Sequence, residues 1–183
     1  ISGAIDLLPT LADLAGVRHL SVLPTGRILV SGYNLLAPFI GLRRLMPDGS
    51  LDTSFSAPAD IWPNTFIVLN DGRLMVGESK QSPPFHCLTR LLADGGVDST
   101  FTSGSFGMVG LSNANVNVIH PLPDGAYIVG GHFESYDGEM RKSLARILPD
   151  GSLDTDYDPV DATWTTLPMW WAEVSTILPC DGG

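Results

Sequence analysis

An all-β chain of repeated units is what this sequence predicts, and three observations predict it. A twelve-residue segment occurs three times, as RLMPDGSLDTSF at Arg44–Phe55, RLLADGGVDSTF at Arg90–Phe101 and RILPDGSLDTDY at Arg146–Tyr157. A second motif alternates with it: LPTGRILVSG from Leu23, LNDGRLMVG from Leu69 and LPDGAYIVGG from Leu122. No stretch sustains an apolar pattern at i, i+3, i+4 and i+7 with helix caps, except Leu7–Ala15, which has room for one helical turn or a short helix. Two motifs that keep their order through successive periods mark a true repeat, which chance Asp-Gly turns would not.

The motif aspartates fall at Asp6, Asp52, Asp98 and Asp154, in steps of 46, 46 and 56 residues. The third period shows the strands most plainly. Val116–Leu122 is one apolar run, Asp124-Gly125 is a hairpin turn, and Ala126–Val129 is the return strand. A polar, Gly-containing link covers His132–Lys142. Ser143–Leu148 is a third strand, Asp150-Gly151 turns again, and Ser152–Tyr157 is a short fourth. About four strands in roughly 45–55 residues is the size of a propeller blade. The expected fold is therefore a β-propeller-like array of about three four-stranded units. The units span about 17–57, 58–105 and 106–158, flanked by partial units at 1–16 and 159–183.

The repeated residues have structural work to do. Asp52, Asp98 and Asp154 each precede Ser or Thr, where a carboxylate accepts backbone N–H bonds and fixes an Asx turn. Phe55, Phe101 and Tyr157 are anchors to bury against the next unit. Arg44, Arg90 and Arg146 recur on the third strand, placed to pair with those aspartates. Repetition in every unit is what packing requires, so these nine positions are read as fold residues.

The segment GGHFESYDGEMRKSLARILPDGSLDTDY, Gly130–Tyr157, resembles the bacterial delta-60 repeat, a propeller-like β repeat of large secreted and surface proteins. The matching features are Asp-Gly before a strand ending in Gly-Gly, the Phe and Tyr-x-Gly link, the Arg-Leu/Ile strand and the D-G-S-L-D-T/S-x-F ending. The second unit departs in its link, ESKQSPPFH at Glu78–His86, and the first departs at Thr25, where Asp is expected. The resemblance implies the fold and an extracellular or cell-surface setting. It implies no catalytic residues.

Composition narrows the function. The formal charge is −10, with 10 Lys+Arg against 20 Asp+Glu, which disfavours nucleic acid as a partner. Hydrophobic content of 44% argues against disorder. No run approaches the roughly 18 apolar residues of a membrane span. No signal peptide opens the chain, and both ends fall inside repeats. The chain is thus expected to be part of a longer protein, or to complete its sheets against further repeats or other chains, since a propeller typically takes about 4–8 blades. Cys87 and Cys180 occupy non-equivalent positions and fit no disulfide framework.

Candidate sites lie where the units differ. Tyr33–Ile40 is an unusually apolar link, to be buried on a neighbouring unit, to cover an edge or to touch a partner. Ser103–Asn117 is rich in Gly, Ser and Asn and reads as a flexible connection. His19, His86, His120 and His132 lack zinc-ligand spacing. Asp150, Asp154, Asp156 and Asp158 form an acidic run whose oxygens suit calcium. They lack the order of a known calcium loop, so turn-making and solvation is the preferred reading and no cofactor is expected. Trp164, Trp170 and Trp171, with Asp161, sit in a long connection. They fill the core between units or stack on a sugar or protein partner. No nucleophile elbow, P-loop or nucleotide fingerprint is present. The expected function is a non-catalytic extracellular or surface module for recognition or scaffolding, with a protein or glycan partner. The alternatives are a structural subunit of a larger assembly, and a polysaccharide hydrolase or lyase using a non-repeated acid such as Glu134 or Asp161.

Overall fold

The structure is a computed structural model that describes residues 16–32, 40–108, 113–158 and 173–178. The described residues contain strands and turns and no helix. Unit one is the antiparallel sheet β1 (Val17–Val22), β2 (Ile28–Gly32) and β3 (Ile40–Leu45), in that order. Unit two repeats the arrangement with β4 (Pro63–Val68), β5 (Leu74–Lys80) and β6 (Leu88–Leu91). After a short strand β7 (Phe106–Gly107), unit three uses β8 (Ala114–Pro121), β9 (Tyr127–His132) and β12 (Leu144–Ile147). Its link folds into a small hairpin, β10 (Ser135–Tyr136) with β11 (Glu139–Met140), and β10 pairs with β7. The all-β propeller-like class is as the sequence predicts, without a closed ring among the described residues.

Local chemistry explains why each unit looks alike. The Leu23, Leu69 and Leu122 carbonyls accept from Gly26, Gly72 and Gly125, closing the hairpin turns of the second motif. Those glycines have φ of 79°, 84° and 86°, a left-handed conformation that favours residues without a Cβ. The first strand of every unit carries a bulge at the same place, between Val17 and His19, Pro63 and Thr65, and Val116 and Val118. A bulge adds local twist, and twisted sheets stack face to face.

The two larger hydrophobic cores lie between units, and a small third one, Ile28, Val30 and Leu45, is made of unit-one residues. Leu29, Leu42 and Phe55 of unit one pack with Phe66, Leu74 and Leu91 of unit two. Met75, Leu88 and Phe101 of unit two pack with Ile119, Tyr127 and Ile147 of unit three. Val116 then covers Gly77, and Val174 covers Gly130, in each case a valine from the following segment over a glycine that leaves it room. The 173–178 segment thus lies against unit three, with Val174 N–H donating to the Gly131 carbonyl.

Two expectations are corrected. The fourth strand of each unit is a single bridging residue, Leu51 to Leu45, Val97 to Leu91 and Leu153 to Ile147. The next residue in each case is the motif aspartate, whose side chain turns the chain away before a ladder can form. The connection expected to be flexible at 103–117 instead carries β7. Phe106 there is buried edge-on against Phe133 and Tyr136 and bridges Phe85 of the unit-two link. The expected helical segment Leu7–Ala15 and nearly all of the apolar link Tyr33–Ile40 lie outside the described residues.

Candidate functional site

The repeated motif builds a socket at the end of each unit. In unit one, Arg44 Nε donates to Asp52 Oδ2 at 2.7 Å and Nη2 to Ser54 Oγ at 3.2 Å. Its third arm, Nη1, crosses to the following unit and donates to the Ala93 carbonyl at 2.6 Å. Unit two repeats this atom for atom: Arg90 binds Asp98 at 2.7 Å, Thr100 at 2.8 Å and the Pro149 carbonyl at 2.7 Å. The backbone completes each joint, with Ser56 N–H on the Asp94 carbonyl and Thr102 N–H on the Asp150 carbonyl. Each guanidinium also lies over the motif aromatic, 4.8 Å from the Phe55 centroid and 4.9 Å from that of Phe101. The Asp-Gly turn of one unit therefore seats in the socket of the unit before it.

These contacts set the acidities. The Ser54 hydroxyl and the Arg44 guanidinium hold Asp52 down at about 2. Thr100 with Arg73 and Arg90 holds Asp98 far below the usual carboxylate range. Each hydrogen bond favours the ionised form.

Unit three differs. Asp156 stands where Ser54 and Thr100 stand, and it gives Arg146 no hydroxyl. Arg146 instead holds Asp154 through Nη1 and Asp124 through Nη2. Tyr157 is half-buried, where Phe55 and Phe101 are buried.

A second arginine separates the units further. It is Arg27 in unit one and Arg73 in unit two, and Ala126 replaces it in unit three. Arg73 spans two acids, Asp71 through Nε at 2.7 Å and Asp98 through Nη1 at 2.9 Å. Among the described residues Arg27 pairs with no acid but Asp52, 3.3 Å from its Nε, and Thr25 occupies the place of Asp71. The charge at the three hairpin ends is therefore graded. Unit one sets two arginines against one aspartate, unit two sets two against two, and unit three sets one against two.

Clefts open beside these ends, between neighbouring units. The one between units one and two has a volume of about 450 Å³. Val22, Leu23, Val68 and Leu69 line it, with Thr25 and Arg27 among its polar residues. The one between units two and three has about 320 Å³ and includes both Asp71 and Arg73. Chemically, the first cleft offers an apolar wall and a cation, while the second has its cation already neutralised.

A row of polar side chains crosses the first strands. Arg18, Asn64, Asn117 and Glu173 each stand five residues before the leucine that opens the second motif. Arg18 donates to Asn64 at 3.4 Å, Asn64 donates to Asn117 at 3.3 Å, and Asn117 donates to Glu173. Sequence reasoning missed this row, because the residue changes from unit to unit. The constant spacing to the leucine was the available signal.

The proposed ligand-contact residues Trp164, Trp170, Trp171 and Asp161 lie outside the described residues, as does Cys180. Of the acidic run, Asp150 accepts from the Ser152 amide and hydroxyl, and Asp154 from the Asp156 amide and Arg146. Asp156 and Asp158 are exposed. Among the described residues no three His, Cys, Asp or Glu side chains are grouped to hold a metal ion. No described helix is long and apolar enough to cross a membrane. Glu78 is fully buried, yet Thr89, Lys80 and the Trp62 amide satisfy its oxygens.

A family model described as "Domain of unknown function (DUF5122) beta-propeller" matches residues 23–55 and 122–157. The two matched stretches run from the second motif to the end of the first, in units one and three. They support a β-propeller-like repeat family. No curated protein and no solved structure matches the chain.

Proposed function

We propose that this chain is a non-catalytic recognition or scaffolding module of the delta-60 kind, working outside the cell or at its surface. The observation that carries this reading is how the motif carboxylates are used. Asp52, Asp98 and Asp154 each close a turn and bind an arginine, so the most regular acids in the chain are committed to structure. What varies between units is the surface beside them, and variation on a fixed scaffold is how repeat proteins present binding faces. The extracellular setting follows from the resemblance to delta-60 repeats. The test is a panel of glycans and surface proteins offered to the folded chain, with turnover assayed alongside. Saturable binding without turnover supports the reading. Glycan cleavage lost in Glu134→Gln or Asp161→Asn would replace it with the hydrolase.

A structural-subunit reading has one observation in its favour. Arg146 binds two aspartates of its own unit, where Arg44 and Arg90 each reach a turn of the next. The third socket is thus set differently from the two that join units. A further repeat docked there would recruit Nη1 as the others do. Sedimentation at falling concentration checks this, since a chain that stays monomeric throughout is no assembling subunit.

A further inference from the structure

We propose that the cleft between units one and two binds a small organic acid. Its carboxylate pairs with the Nη1 and Nη2 end of Arg27, an arginine that lacks the second acid Asp71 gives Arg73, and its apolar part lies on Val22, Leu23, Val68 and Leu69. The inference compares two copies of one site within one chain. In unit two the arginine after the hairpin glycine is clamped between Asp71 and Asp98. In unit one the residue that would supply the first acid is Thr25, and Arg27 engages Asp52 through Nε alone. Among the described residues, Nη1 and Nη2 of Arg27 meet no acceptor. Two parallel N–H groups on a planar guanidinium match a carboxylate's two oxygens.

Three further features fit this ligand. No acid is among the residues that line the cleft, and its two arginines share Asp52 as their carboxylate, so an anion meets a local excess of positive charge there. Val22 on its wall is 63% exposed, an apolar surface with no cover among the described residues. The volume of about 450 Å³ lies within the range of small-molecule sites. Arg44, which also lines the cleft, is spent on Asp52, Ser54 and Ala93, which leaves Arg27 as the anchoring cation.

This deepens the recognition reading and rests on it only for biological meaning. A chain that takes the acid but no glycan or protein fails that reading and not this one, and the converse separates them equally. The experiment titrates the folded chain with 4-phenylbutyrate and with its neutral amide, followed by backbone amide NMR and calorimetry. The expected result is saturable binding of the acid, with shifts at Thr25, Arg27 and Val68, and at least about tenfold weaker binding of the amide. Arg27→Gln removes the anchor. Thr25→Asp installs the internal acid that unit two already carries, so the fold is kept while the place is filled. Both variants are expected to weaken the acid at least about tenfold. No saturable binding by the folded wild-type chain overturns the proposal. So does equal binding by wild type and a folded Thr25→Asp variant.

Discussion

Arg90 and Pro149 stand 59 residues apart and are joined by a 2.7 Å hydrogen bond from the guanidinium to the carbonyl. The bond links two units through a side chain whose other arms hold its own unit's Asp98 and Thr100. One residue thus couples the closing turn of a unit to the stacking of the next. Arg90→Gln should therefore cost about 3 kcal/mol, the low end for a broken buried pair, since Asp98 keeps Arg73 and Thr100 while the joint is lost. Arg146→Gln, at a more exposed pair that joins no described unit, should cost about 1 kcal/mol or less. Urea unfolding of both variants checks the order, and equal losses would show that the crossing bond contributes nothing.

The same joint fixes a glycine. Gly151 has φ of 100°, and a Cβ built there would stand 2.2 Å from the Thr102 carbonyl oxygen of the preceding unit. Gly138 has φ of 86° but nothing within 4 Å of the same position. Gly138→Ala should then cost only the left-handed strain, about 1 kcal/mol. Gly151→Ala should cost more than twice that, because the units must part to admit the methyl group. Thermal unfolding compares the two directly.

These two predictions also show what the sequence could reveal. The pairing of Arg44, Arg90 and Arg146 with Asp52, Asp98 and Asp154 was legible, because repetition at fixed spacing singles out partners. The carbonyls of Ala93 and Pro149 were not, because a backbone acceptor leaves no side-chain signature. Thr25 was visible as a departure from the motif, but its consequence needed the geometry of Arg73 between Asp71 and Asp98. The fourth strand was overread, since Ser152–Tyr157 has strand-like composition while Asp154 spends its side chain on a turn. Phe106 was hidden in a Gly- and Ser-rich stretch, where composition outweighed one aromatic residue.

Acid should unfold the chain through the motif aspartates. Asp52 sits at about 2, and Asp98 is lowered as well, against about 3.9 for an unfolded aspartate. A depressed folded value means the unfolded state binds protons first as pH falls. The stabilisation is thus fully present above roughly pH 5, and is lost as pH drops through 4 toward 2. Unfolding free energy measured between pH 6 and 2 should fall across that window. Asp52→Asn, if it folds, should show a lower plateau and a flatter slope. A slope unchanged in that variant would remove Asp52 from the account.

Cys87 should behave as an inert core residue. It is fully buried and free, its Sγ lies 3.3 Å from the Ala114 carbonyl, and burial with the nearby Glu78 carboxylate pushes its thiol up to about 12. The thiolate is the reactive form, so both access and ionisation oppose reaction at neutral pH. In a Cys180→Ser background, which isolates this thiol, native protein should leave a thiol reagent unreacted at pH 8, and denatured protein should consume one equivalent. Glu78→Gln tests which barrier matters. It removes the neighbouring charge and so lowers the thiol's pKa, but the Ala114 and Leu88 packing around the sulfur stays. Labelling should therefore remain slow and track unfolding in both chains. Rapid labelling of folded Glu78→Gln would mean that charge, and not access, had been guarding the thiol.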